Sequence, residues 1–113
     1  MANTFLNAKS DLTTTNLTTV YTVPSATTAV IKSILVSEDA GSGTTIDVTL
    51  VDASGTIFSL FKAKAVGSNT TVELLTQPLV LKESEALKAQ AADANELHII
   101  ASILEVKPRE VVT

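Results

Sequence analysis

The chain contains no cysteine and no tryptophan. The first absence excludes disulfides, thiolate metal sites and a cysteine nucleophile, so packing and backbone pairing alone must hold the fold. The second leaves a single tyrosine, Tyr21, and three phenylalanines as the aromatic content, which is little for a site that stacks on sugar rings. Basic residues are few, eight Lys and Arg against twelve Asp and Glu, for a formal net charge of −4. They are scattered as Lys9, Lys32, Lys62, Lys64, Lys82, Lys88, Lys107 and Arg109. Without a cluster to neutralise phosphates, no nucleic-acid partner is expected. The longest apolar runs fall far short of the ~20 residues that span a bilayer. The opening MANTFLNAKSDL has neither the basic n-region nor the apolar h-region of a signal peptide. A soluble protein made in the cytoplasm, with no membrane partner, is the expectation.

What is present is β-forming. Hydrophobic residues make up 45% of the 113 positions, enough for one two-layer core. They are mostly Val, Ile, Leu and Ala, interleaved with Thr, and β-branched side chains suit a half-buried pleated surface. The period-2 pattern starts at Leu17–Val23 and stops at Pro24, which cannot donate to a ladder. Ala29–Ser37 follows, apolar on both faces, with Ile31 and Leu35 assigned to one side and Val30, Ile34 and Val36 to the other. Such a strand is expected to be buried on both sides, inside the fold or beneath a subunit contact. Glu38–Gly43 supplies turn chemistry, with Gly41 and Gly43 free to take positive φ. In Thr45–Val51, Ile46, Val48 and Leu50 are expected to face the core, and Thr45, Asp47 and Thr49 water.

Further strands are expected at Thr56–Ala65, Thr70–Leu75 and Leu79–Leu81. Residues 83–95 are rich in helix formers, yet Leu87, Ala89 and Ala91 alternate with Lys88 and Gln90, and Asp93-Ala94-Asn95 reads as a turn. A short strand at Ala86–Ala91 is favoured. Leu97–Val106 closes the pattern as a central strand, apolar on both sides. Short strands at this spacing predict an all-β antiparallel sandwich, jelly-roll-like, of about eight strands. The predicted organisation is an N-terminal arm at 1–16, extended or attached loosely as a first strand, the sandwich at 17–106 and a tail at 107–113.

No reactive constellation emerges, and neither an enzyme activity, a small-molecule substrate nor a cofactor is expected. His98 lacks convergent partners for base or zinc chemistry and reads as a hydrogen-bonded structural residue. Glu38, Asp39, Asp47 and Asp52 carry the oxygens that calcium takes, but not the spacing of a calcium loop, and no metal site is assigned. Gly41-Ser42-Gly43 lacks the Lys-Ser/Thr and helix of a phosphate loop. Asn16-Leu17-Thr18 and Asn69-Thr70-Thr71 match the glycosylation sequon by chance in a threonine-rich chain. No serine sits in a nucleophile elbow.

The run VYTVPSATTAVIKSILVSE at 20–38, with TIDVTLVDASG at 45–55, PLVLKESEALKAQA at 78–91 and LHIIASILEV at 97–106, resembles small virion structural proteins of tailed bacteriophages. That resemblance implies a β-sandwich accessory of the phage particle. The expected role is a capsid decoration or cement protein that bridges capsid subunits on the head. A neck, tail or fibre-base accessory is the alternative, and a carbohydrate- or receptor-binding module the reading from another class. The expected partners are the major capsid protein or neck and tail proteins, and copies of the chain itself, in the virion. Candidate interface residues are Phe5, Leu6 and Leu12 in the arm and Val111 and Val112 in the tail. Phe5 and Leu6 either dock on a neighbour or cover one end of their own sandwich. As an arm, residues 1–12 would be dispensable for folding.

Overall fold

The structure, a computed structural model, describes residues 2–107. Among these residues there are nine strands and no helix. They are β1 (Ala2–Leu12), β2 (Thr18–Thr22), β3 (Thr28–Glu38), β4 (Thr44–Val51), β5 (Ile57–Val66), β6 (Thr71–Glu73), β7 (Leu79–Leu81), β8 (Ala86–Ala91) and β9 (Leu97–Lys107). The front sheet runs β1-β9-β3, with β6 and β7 lying end to end along the far edge of β3; the back sheet runs β2-β8-β4-β5. All pairings are antiparallel. With β6 and β7 sharing one position, this is an eight-position jelly roll. Residues 86–91 are strand, as the alternation of Leu87, Ala89 and Ala91 requires once those side chains are buried in the core between the sheets.

The long central strands differ from expectation in an instructive way. In β9 the burial alternates cleanly: Leu97, Ile99, Ala101, Ile103 and Glu105 point inward, while His98, Ile100, Ser102, Leu104 and Val106 point outward. In β3 the ladder to β9 slips between Ile31 and Ser33. That extra residue is a β-bulge, and it shifts the two-residue phase by one. Ala29 and Ile31 before it and Ile34 and Val36 after it therefore all face the core, and Val30 and Leu35 face out. Neither strand is buried on both faces, and Ile31 and Ile34 share a side instead of opposing each other.

The bulge has its own support. Glu73, at the end of β6, accepts from the Ser33 hydroxyl at 2.5 Å and from the Ile34 N–H at 2.8 Å. It also takes the Leu75 N–H at 3.1 Å. Burial pushes its carboxyl up, but these donors outweigh burial and leave it below the ordinary glutamate value. An amide displaced from the ladder is thus satisfied by charge-assisted hydrogen bonds.

Of the two readings of the N-terminus, residues 2–12 form the first strand and not a free arm. All eleven pair with β9 in continuous register, from Ala2 opposite Lys107 to Leu12 opposite Leu97. Leu12 is a core residue, 1% exposed, because it closes the inner face against Leu97. Thr49 also departs from expectation. It is buried, and its Oγ1 has no hydrogen-bond partner among the described residues.

Across the core, the Tyr21 hydroxyl of β2 donates to Glu105 Oε2 of β9 at 2.5 Å, joining the sheets. Burial, then the hydrogen bond and charge of Glu105, push the phenol above its ordinary value.

Two stability outcomes follow from this packing. Leu12→Ala should cost about 2–5 kcal/mol in chemical denaturation, and removing residues 2–12 should abolish the cooperative transition by baring β9; a truncated chain that melts like the full one would return these residues to the status of an arm. Thr49→Val should raise stability by about 1 kcal/mol, since it deletes an unpaired buried hydroxyl at nearly constant shape; a loss of stability would mean the hydroxyl has a partner.

Candidate functional site

Antiparallel partners share a face, so the registers of β1, β3, β7 and β9 define rows across the outside of the front sheet. One row is apolar throughout: Val80, Val30, Leu104 and Phe5, from β7 to β1. A second places Leu35 beside Ile100, ending at Lys9. Between them lies a polar row of Ser33, Ser102 and Asn7. Phe5 is 76% exposed and Val80 56%. A shallow depression beside Phe5 is floored by Asn7, Lys32 and Ser102. The outside of the back sheet is mixed: Thr19, Lys88, Thr49 and Ser59 form one row and Gln90 pairs with Asp47 in the next, but a third places Val51 between Ala86 and Ile57, which is 58% exposed. The front sheet therefore carries an apolar row across all four of its strand positions, and the back sheet a shorter one at its β5 edge. Adjacent exposed apolar side chains of this kind mark contact surfaces, whereas scattered ones do not.

The interface residues expected from sequence are dispersed. Phe5 lies on the apolar row. Leu6 points the other way, half-buried against the core and opposite Ile103. Leu12 is fully internal. Val111 and Val112 lie outside the described residues. Sequence reasoning did not single out Val30, Val80, Leu35, Ile100 and Leu104. Their signal was present in the apolar residues on the second face of β3 and β9, which read as double-sided burial.

The carboxylates weighed as calcium ligands do not converge. Glu38 turns inward at the end of β3 and is 1% exposed. It gathers the N–H groups of Gly41, Ser42 and Gly43 from its own turn at 2.9–3.1 Å, and that of Asn69 from the β5–β6 turn at 3.0 Å. The turn wraps the carboxylate only because Gly41 and Gly43 take φ of +86° and +69°. The Asn69 N–H, then the turn amides, overcome burial and hold the Glu38 carboxyl at about 2, from an ordinary 4.5. Asp52 accepts from Ser54 and Thr56 in its own turn, and the Ser54 hydroxyl and these amides lower its carboxyl. Asp47 takes the Ala63 N–H and pairs with Lys62. Asp39 lies 3.7 Å from His98 Nδ1, whose Nε2 is 3.2 Å from Asp11. No group of three or more His, Asp or Glu among the described residues is placed to hold a metal ion. Among the described residues no helix is long and apolar enough to cross a membrane.

Compared by sequence, the chain matches no protein-family model and no curated protein. By structure it is similar to a subunit of Bacillus endospore appendages, which form disulfide-linked pili, with a TM-score of 0.60 at 9% identity over 96% of this chain and 88% of that one. It is also similar to a chain of the acid-stable capsid of Helicobacter pylori bacteriophage KHP30, with a TM-score of 0.58 at 11% identity over 94% and 89%. At these identities the likeness is one of fold.

Glu38 sets an expected pH response. Its folded carboxyl titrates below the unfolded one, so its contribution is complete above pH 4.5 and disappears as the pH falls through about 2. Glu38→Gln should lower stability at neutral pH and flatten the acid limb of a stability–pH curve between these values. An unchanged acid limb would remove Glu38 as the clamp.

Proposed function

We propose that this chain is a structural protein of a tailed-phage virion, placed as a decoration or cement protein on the outside of the head. The observation that carries this reading is the apolar row of Phe5, Leu104, Val30 and Val80, which crosses the whole outside of the front sheet. A jelly roll built this way lays its front face on a partner. The size is adequate. Four strand positions and eleven-residue strands, at ~4.8 Å spacing and ~3.3 Å rise, give a face of roughly 700 Å² before side-chain relief. A standard interface takes roughly 800 Å² from each partner. The partner is the major capsid protein, and bridging two capsid subunits adds buried area across their seam, which is how a cement protein resists internal pressure. The fold shared with a phage capsid chain is in keeping with this role. The chain does no chemistry in it.

Phe5 is exposed enough to be changed without disturbing the core. Phe5→Asp should leave the melting profile intact and weaken binding to particles lacking the protein by about tenfold or more, the loss typical of a buried aromatic anchor. Binding equal to the unmodified chain would show that the front face is not the attachment surface. Particles without the protein should also break at lower temperature; equal heat and osmotic resistance would remove the cement role. Copy number separates the sites, with hundreds per particle for the head lattice and about a dozen or fewer for neck or tail.

A further inference from the structure

Sheet edges offer unpaired N–H and C=O groups, and proteins protect them with short strands, bulges or charge. Three of the edges here are protected. β6 and β7 have three residues each. β2 has five, with an irregular register. β5 slips twice against β4, and Ala63, at φ 51°, turns its N–H back to Asp47 at 2.7 Å. β1 is the exception: eleven residues in unbroken register with β9, free of Pro and Gly, with Lys9 and Asp11 its charged residues.

We infer that β1 pairs with β1 of a second copy of this chain, antiparallel, about a two-fold axis at Asn7. Asn7 is the midpoint of Ala2–Leu12, so this register alone pairs the whole strand with its copy. It is also self-complementary. Phe5 falls opposite Lys9 of the second copy, whose aliphatic stem lies along the edge of the ring and leaves its outer face open. Asn3 falls opposite Asp11, Leu6 opposite Ala8, and Asn7 opposite itself. No like charges meet, which a cross-strand pair would penalise. The axis stands perpendicular to the sheet, so both front faces look the same way. The apolar row Val30–Leu104–Phe5 of one copy runs through Lys9 into Ile100 and Leu35 of the other. The dimer thus carries one continuous platform and would attach through two linked faces.

This pairing belongs to the isolated chain and stands or falls without the virion. The full chain should sediment as a dimer at micromolar concentration. Asn7→Lys sets two ammonium groups opposite each other at the axis and changes one exposed side chain in each copy. It should weaken the dimer by about threefold to fivefold with an unchanged circular dichroism melt. Asn7→Cys, in a chain without other cysteines, brings two Cβ atoms to about 4.5–5.5 Å, within reach of a short thiol-reactive bifunctional linker, and should cross-link as a dimer. Asn16→Cys, away from the strand, should not. A chain that stays monomeric at high concentration, a dimer indifferent to Asn7→Lys, or equal cross-linking of the two cysteine variants would each overturn the two-fold pairing.

Discussion

One extra residue in β3 decides which side chains this protein keeps and which it shows. Without the slip at Lys32, an eleven-residue strand with Ile31 inside would carry Ser33, Leu35 and Ser37 inward and push Ile34 and Val36 to the surface. The bulge resets the phase, so a strand with apolar residues at adjoining positions fills the core from both halves and still leaves Val30 and Leu35 outside. Glu73 makes this possible by accepting the displaced Ile34 amide and the Ser33 hydroxyl. The same point explains why the neighbouring edge is split into β6 and β7: each pairs a straight half of β3, and the chain leaves the edge where the bulge lies.

Glu38 and Glu73 share a logic. Each is a carboxylate recruited to satisfy backbone donors that the ladders cannot reach, one in a glycine turn and one at a bulge. The acidic balance of the chain is therefore partly structural. Carboxylates that suggest ligand chemistry in a linear sequence are consumed, in the folded chain, by amides and hydroxyls.

Most of the architecture was legible in the sequence. Turn residues and two-residue alternation place the strands from β2 to β9 within a few positions, including β8, where alternation of Leu87, Ala89 and Ala91 outweighs helical propensity. Two things were not legible. β1 reads as polar because its outward positions Asn3, Asn7, Lys9 and Asp11 are polar, and its small inward residues Ala8 and Ser10 give little signal beside Leu6 and Leu12. The phase of β3 was hidden because a bulge leaves no residue signature of its own; here it depends on Glu73, forty positions away from Ser33. Of the candidate contact surface, Phe5 was found and its neighbours on β3, β7 and β9 were not, since a row across strands exists only once registers are set.

The hydroxyl of Tyr21, hooked to Glu105 between the two sheets, gives the molecule an internal reporter. In a chain with no tryptophan and this single tyrosine, near-ultraviolet absorption and fluorescence come chiefly from one ring, and that ring sits where the two sheets meet. Separation of the layers therefore has its own optical signature, distinct from loss of strand content in the far ultraviolet. A state that keeps its strands but loosens the seam between sheets would be visible without any label.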